Sequence, residues 1–218
     1  MNTKKLSPTS YVLLGLLARR PWSAYELNIH MQKSILTAFW PRTESHVYSE
    51  PKKLLSEGLV SAQKNEQNGR LRTVYSISDS GHQALQQWLN SPNTGYAAIH
   101  YEAMLKFLCA DRGDINALKN NIRAIADNAM EEARLINEGI KAAHSSGHIK
   151  IQGMPYNAMA VNFLLDVVEA RLRWVEEIEA GFADFTSTDN CDQTTREGEK
   201  YYKLAQARLT RILAKSTA

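Results

Sequence analysis

Small hydroxyl and lysine side chains recur at helical spacing between residues 43 and 57 of this 218-residue chain. On an α-helix they share one face, which combines side chains short enough to enter a nucleic-acid groove with amines that reach phosphates or guanine edges. The opposite face is apolar, which predicts that it packs against a core. The outward residues are Ser45, Ser49, Lys52, Lys53 and Ser56, and the inward ones are Val47, Pro51, Leu54 and Leu55.

A proline stands on the inward face of this helix. In a helix interior, proline removes a backbone donor and clashes with the preceding turn, at a cost of about 3 kcal/mol. Two geometries are open at this point. Either one kinked helix runs from Thr43 to Glu57, or a short turn ends near Glu50 and a new helix begins at Pro51.

A second group of cations surrounds the pair Asn68-Gly69. Residues 59–77 contain two strand-like runs around this pair, and Asn-Gly tolerates the positive φ angles of a tight hairpin. Lys64, Arg70 and Arg72 on the resulting β-ribbon are suited to phosphate or minor-groove contacts. The alternative is an exposed hairpin whose charges discourage edge-to-edge strand pairing.

Helix-start and helix-stop signals place three helices before this ribbon and one after it. We expect the first helix to end near Arg20-Pro21, the second near Trp40-Pro41 and the third at Gly58, since glycine is the usual left-handed residue after a helix. The start signals are Ser7-Pro8 for the first helix, a capping box from Ser23 to Glu26 for the second, Thr43 for the third and Ser78 for the fourth.

This order of elements predicts a winged helix-turn-helix, whose third helix enters the major groove of DNA. The charge distribution agrees. Residues 1–94 carry eleven Lys and Arg against six Asp and Glu, a net charge of +5, and the remainder carries −2. We therefore expect a mainly α protein with a small β-hairpin, in which residues 1–92 form the winged-helix domain.

Residues 93–218 are expected to form a helical domain after a linker at residues 90–95. In its third helix Phe163, Val167, Trp174 and Ile178 are spaced 4, 7 and 4 apart. This near-heptad stripe predicts packing against another long helix, in the same chain or in a second subunit. The predicted helical segments are residues 97–110, 114–144, 156–185 and 196–215.

Residues 6–89 resemble the PadR family of transcriptional regulators, in the branch of the AphA-like virulence activators. The similar motifs are "YVLLGLLARRPWSAYEL", "FW", "HVYSEPKKLLSEGLV" and "GRLRTVYSISDSGHQALQQWL", in the family's order. The chain departs from the family in having Ala24 where many relatives have glycine, and in having its proline at Pro51 rather than directly after Tyr48. The resemblance requires Tyr48 and Lys52 on one continuous reading element, so it favours the single kinked helix.

The resemblance implies a homodimeric repressor that binds double-stranded DNA at an inverted-repeat operator, with the long C-terminal helices and part of the first helix exchanged between subunits. Some relatives bind phenolic acids or planar drugs near that interface. A small aromatic effector is therefore expected at Phe107, Tyr156, Phe163 and Trp174, although aromatic residues at helical spacing are more often plain core. The expected DNA contacts are Tyr25, Ser45, His46, Tyr48, Ser49, Lys52, Lys53, Lys64, Arg70 and Arg72.

Other classes of function have less support. The sequence has no phosphate-binding glycine loop, nucleophile elbow or HExxH, so neither an enzyme nor a cofactor is expected. His144 and His148 are four residues apart, but Ser145-Ser146-Gly147 interrupts the helix that would align them on a metal. Cys109 and Cys191 are expected to be reduced thiols in a bacterial cytoplasm, and the longest apolar run is too short to span a membrane. The main alternative is a winged-helix adaptor that binds proteins instead of DNA.

Overall fold

The computed structural model describes residues 6–40, 43–67, 70–92, 97, 99–146, 154–188 and 191–215. The chain divides into two compact units, Met1–Ala97 and Ala98–Ala218. The expected domain boundary between residues 92 and 93 lies a few residues before this division. The roles expected of the two domains, DNA binding and dimerisation, stay predictions.

The helices of the first unit begin where the sequence predicts them. The Ser7 hydroxyl accepts a hydrogen bond from the Ser10 amide at 3.1 Å, and Ser78 caps its helix in the same way. Ser23 and Glu26 form the predicted capping box. The elements are α1 (Pro8–Leu17), β1 (Trp22–Ser23), α2 (Ala24–Lys33), α3 (Leu36–Phe39), α4 (Glu44–Ser56), β2 (Val60–Gln67), β3 (Arg70–Ile77) and α5 (Asp79–Asn90).

Two predicted helix ends are wrong. The first helix stops at Leu17, about one turn early, because the chain leaves it to form β1; the Trp22 indole nitrogen then donates to the Leu16 carbonyl at 3.0 Å. The second helix is broken at Ser34, whose backbone is extended, and α3 follows as a separate short turn. The Thr37 hydroxyl donates to the Met31 carbonyl at 2.6 Å and so satisfies an acceptor that the helix end leaves open.

A three-stranded antiparallel sheet in the order β1-β3-β2 replaces the predicted two-stranded ribbon. Strands β2 and β3 pair from Val60 opposite Ile77 to Gln67 opposite Arg70, so two residues connect them. Those residues, Asn68 and Gly69, lie outside the described part of the chain. Strand β1 was missed because two residues are too short to show an alternating pattern.

The core of the first unit lies between α1, α2, α4 and the sheet. Helix α1 contributes four of the ten buried residues, more than any other element, and it packs against α4, α5 and β3. The buried residues are Leu13, Leu14, Leu16, Leu17, Leu27, Met31, Val47, Leu54, Val60 and Tyr75.

Helix α4 is joined to the wing by a tight turn at Gly58. Gly58 has φ 73°, as predicted for a residue after a helix end, and its amide donates to the Leu55 carbonyl at 3.1 Å. The next amide, that of Leu59, donates to the Leu54 carbonyl at 3.0 Å. This pair of bonds is a Schellman motif, which fixes the direction in which the wing leaves α4.

The second unit is built on two long antiparallel helices, α7 (Ile115–Ser145) and α8 (Met154–Gly181), which pack on each other. The Asp114 carboxylate caps α7 by accepting from the amides of Asn116 and Ala117 at 2.8 and 3.0 Å. Segment 97–110 is helical only from Glu102, and the last helix begins earlier than predicted. The elements are α6 (Glu102–Leu108), a 3-10 turn (Ala110–Arg112), α7 (Ile115–Ser145), α8 (Met154–Gly181) and α9 (Cys191–Ala214).

The heptad stripe predicted for α8 is shifted by one position along half of its length. Leu164 and Val168 are buried there, whereas Phe163 and Val167 are exposed. Farther along, Ile178 joins the core as predicted. Arg171, on the buried side between these residues, pairs with Glu132 of α7. None of the described helices is long and apolar enough to cross a membrane.

Candidate nucleic-acid interface

The predicted reading element is one continuous helix. Helix α4 runs through Pro51 without interruption, and Thr43 is its N-cap residue with an extended backbone. The continuous alternative is therefore confirmed, and no new helix begins at Pro51. The proline side chain is fully buried, so the residue that weakens the helix also packs in the core.

The buried face of α4 is not the predicted one throughout. Val47, Pro51 and Leu54 are buried as expected, but Leu55 is 40% exposed, and the prediction for it is wrong. Glu50 takes the fourth buried position and is 5% exposed. At about 100° per residue, Glu50 lies about 60° from Val47 on one side, whereas Leu55 lies about 80° from it on the other. The start of α1 packs over the side of α4 that carries Glu50.

Glu50 binds the first turn of α1. Its carboxylate accepts hydrogen bonds from the Ser10 hydroxyl and, at 3.2 Å, from the Ser7 hydroxyl. It also pairs with Lys53 on its own helix, with 3.3 Å between Nζ and Oε1. Burial alone would raise the pKa of Glu50, but the hydrogen bonds it accepts and the charge of Lys53 outweigh burial and lower that pKa.

The outward face of α4 is small and basic, as predicted. Ser45, Ser49 and Lys52 are exposed, and the Ser49 hydroxyl donates to the His46 carbonyl at 3.0 Å. Lys52 forms no ion pair with any described residue, whereas Lys53 is half-buried and bound to Glu50. The two neighbouring lysines thus have different electrostatic environments.

His46 and Tyr48 flank this face. Tyr48 is exposed, so its ring is accessible beside Lys52. His46 is half-buried, and its Nδ1 atom is buried without a hydrogen-bond partner among the described residues. Both side chains are where the sequence predicts them, at the edges of the outward face.

The wing carries its cations on both faces. Lys64 stands opposite Thr73, and Arg72 stands opposite Asn65, so the two cations project to opposite sides of the ribbon. Both are exposed. Arg70 begins β3, but its side chain lies outside the described part of the chain.

A surface cleft of about 510 Å³ lies between the wing and the start of α2. Tyr25 and Arg72, both predicted from the sequence, line it with Ser23 and Thr73. Sequence reasoning missed the remaining lining residue, Leu71, which is 74% exposed. The sequence offered one signal for this exposure: Leu71 stands between two arginines, in a segment that does not reach the core.

The four residues predicted for an effector site lie in two places. Phe107 and Trp174 pack edge to face, with 5.0 Å between ring centroids, beside the core of the second unit. Tyr156 and Phe163 are exposed nearer the start of α8. Eighteen residues separate Tyr156 from Trp174, about 27 Å along a helix, so one chain does not bring all four together.

No group of metal-ligating residues is present in the described part of the chain. His144 stands near the end of α7, and His148 lies outside the described residues. Cys109 is an exposed free thiol, and Cys191 begins α9.

The sequence of the first unit matches a known family. Residues 13–87 match the profile of the Transcriptional regulator PadR-like family. The matched segment contains α4, both strands of the wing and the lining of the cleft, and it confirms the resemblance predicted from the sequence.

A curated relative, the negative transcriptional regulator PadR of Bacillus subtilis (strain 168), is 33% identical over 97 residues. These residues are 44% of this chain and 53% of the relative, so the chain spans about half the length of the curated relative that it matches.

Solved structures extend the similarity to both units at the level of fold. Bacillus subtilis PadR in complex with operator DNA has a TM-score of 0.68 at 21% identity, covering 78% of this chain and 97% of that one. The same protein in complex with p-coumaric acid has a TM-score of 0.66 at 21% identity, with 83% and 99% covered. The Vibrio cholerae virulence activator AphA has a TM-score of 0.61 at 19% identity, with 80% and 98% covered. The predicted winged helix followed by long helices is confirmed.

Proposed function

We propose that the protein is a homodimeric, sequence-specific DNA-binding repressor of transcription that acts without catalysis. The observation that carries the proposal is the division of α4 into two faces. Val47, Pro51 and Leu54 fix one face in the core, and the other presents Ser49 and Lys52 to solvent. A rigid helix with short polar and basic side chains fits the major groove.

The wing and the cleft extend this surface. Lys64 and Arg72 neutralise phosphates on either side of the ribbon, and Arg70 adds a third charge beside the turn. Tyr25 and Arg72 line the surface cleft beside the wing, where the tyrosine hydroxyl can donate to a phosphate. Ser45, His46 and Tyr48 complete the contacts from α4. The PadR-like sequence of residues 13–87 supports the same assignment.

The second unit supplies the two-fold symmetry of the proposed dimer. It exposes many large apolar side chains on its helices, which is typical of a surface that another subunit covers. Two reading helices related by a two-fold axis are about 34 Å apart and prefer an inverted-repeat operator. The exposed apolar residues include Leu105, Leu108, Met130, Leu135, Tyr156, Met159, Val167, Tyr202, Leu209 and Ile212.

We further propose a small aromatic effector and a cytoplasmic location. The effector is supported by the complex of Bacillus subtilis PadR with p-coumaric acid, and its proposed contacts here are Phe107, Tyr156, Phe163 and Trp174. Since these residues lie too far apart within one chain to form a single site, the site would form from two subunits. The location is supported by the proposed role, because a regulator of transcription acts on genomic DNA.

A mobility-shift assay on the upstream region of the protein's own gene tests the proposal. We expect a complex that survives an excess of random-sequence duplex, because base contacts add to the phosphate contacts. Lys52→Ala should weaken the complex and reduce the slope of log affinity against log salt by about one unit, and Lys203→Ala, on the exposed side of α9, should change neither. Retention of protein partners without any DNA would support the adaptor instead.

A further inference from the structure

The reading helix contains a buried carboxylate that the proposed DNA contacts do not use. Glu50 is 5% exposed and lies between the first turn of α1 and Lys53. The hydroxyl of Ser7 is at 3.2 Å, and that of Ser10 also donates to it. Its position near the start of α1 is favourable for a negative charge, because the first amides of a helix carry partial positive charge.

The same carboxylate binds one of the two neighbouring lysines and not the other. Glu50 and Lys53 are one turn apart, so their side chains meet on the same side of α4, at 3.3 Å. Lys52 projects to the solvent-exposed side, away from that pair. From these contacts we infer that Glu50 withholds Lys53 from DNA, so that Lys52, and not Lys53, neutralises a phosphate in the bound state.

Because Glu50 is buried, Lys53 keeps its ion pair with Glu50 in preference to an ion pair with a phosphate. Hydrogen bonds to α1 hold the carboxylate in place, so it cannot follow Lys53 toward a phosphate. If Lys53 left, the protein would keep a buried negative charge with hydroxyl partners alone, which is unfavourable. A phosphate at the surface offers Lys53 only a solvent-exposed pair, which is weak and screened by salt.

A neutral pair within the interface has a consequence for selectivity. Binding that depends on phosphates is the same for every sequence, because each neutralised phosphate releases counterions whatever the bases are. Since the Glu50–Lys53 pair carries no net charge, it lowers this common term and leaves the base contacts of α4 unchanged. Glu50 is thus a positioning residue that reduces binding to random DNA.

The inference rests on the proposed DNA-binding function, and the salt dependence of binding to a short random-sequence duplex tests it. Glu50→Gln keeps an amide oxygen that can accept from Ser10 but removes the charge. We expect this variant to bind the duplex more tightly and to gain about one unit of slope against log salt, because Lys53 becomes available to phosphates. In Glu50→Gln/Lys53→Met the slope should return to the wild-type value.

Two controls separate this effect from a general change in charge. Glu57→Gln removes an exposed carboxylate just after α4, and it should change the slope less than Glu50→Gln does. The gain must also depend on Lys53: if Glu50→Gln raises the slope equally in the Lys53→Met background, or does not raise it at all, the inference is overturned. A wild-type protein that fails to bind any duplex would overturn the proposed function and this inference together.

If Glu50→Gln fails to fold, the salt dependence of the two single lysine variants tests the inference instead. Lys52→Met should lose about one unit of slope, and Lys53→Met should lose clearly less. Equal losses in the two variants would overturn the inference while leaving the proposed function intact.

Discussion

On helix α4 of the first unit the exposed side chains include Ser45, Ser49 and Lys52, whereas on α8 of the second unit they include Tyr156 and Met159, which are 76% and 69% exposed. Both helices bury an apolar face against their own unit. They differ in the surface that remains: one offers charge and hydrogen bonds, and the other offers apolar area. This difference underlies the proposal that the first unit binds a polyanion and that the second unit binds a copy of itself.

The largest expected effect comes from placing a charge on the apolar surface of α8. Met159→Glu should dissociate the dimer, and because two linked reading helices bind together, affinity for an inverted repeat should fall by about 100-fold or more. Sedimentation of the variant measures the dissociation, and a titration of operator DNA measures the affinity.

The matched control is Ala158→Glu, about 100° around the same helix on an exposed side. It should leave both the sedimentation and the DNA affinity unchanged. A variant Met159→Glu that stays dimeric would show that this part of α8 does not lie in the interface, and the contrast between the two units would lose its support.

The next effect concerns how the wing is held in the first unit. A Cβ atom added to Gly81 would lie 2.1 Å from the Leu59 carbonyl oxygen and 2.8 Å from Ile77 Cγ1. We expect Gly81→Ala to destabilise the first unit by about 2 kcal/mol, because α5 must move away from the sheet. Thermal unfolding measures this loss.

Gly15→Ala is the control for that substitution. Gly15 lies within α1, and apart from its chain neighbours and the backbone of its own helix, an added Cβ there meets no described atom within 4 Å. This change should be neutral or should stabilise by about 0.5 kcal/mol, since alanine has less freedom in the unfolded chain. Equal loss of stability in both variants would contradict the packing described for α5.

A smaller effect concerns the anchoring of the reading helix. Since the folded state lowers the pKa of Glu50 below its usual 4.5, the ionised carboxylate stabilises the fold above that pH, and the contribution is lost as the pH falls through the folded value. Glu50→Gln should cost about 1 kcal/mol at neutral pH. The difference between wild type and variant should shrink in acid, as denaturant titrations at both pH values would show; a constant difference would contradict the assignment.

Local signals in the sequence predicted where α1, α2, α4, α5 and α7 begin. Ser7, Ser23, Ser78 and Asp114 each cap a helix within three residues of themselves, so no distant contact is needed to recognise them. Gly58 was recognisable for the same reason. The outward face of α4 followed from helical periodicity alone.

The wrong predictions occur where contacts with a part of the chain distant in sequence determine which residues are buried or paired. Leu55 and Glu50 are nearly equal candidates for burial on the helical wheel, and the hydroxyls of α1 select the charged one. On α8 the stripe that begins at Phe163 and the stripe that begins at Leu164 are both apolar, and the position of α7 selects the second. Strand β1 exists only because β3 pairs with it.

The central claim, that α4 and the wing read DNA as a two-fold pair, is tested most directly by genomic footprinting of the native protein. We predict discrete protected sites, each an inverted repeat whose half-site centres are about one helical turn, or a multiple of it, apart. Protection spread evenly over the genome, or discrete sites without two-fold symmetry, would contradict the claim.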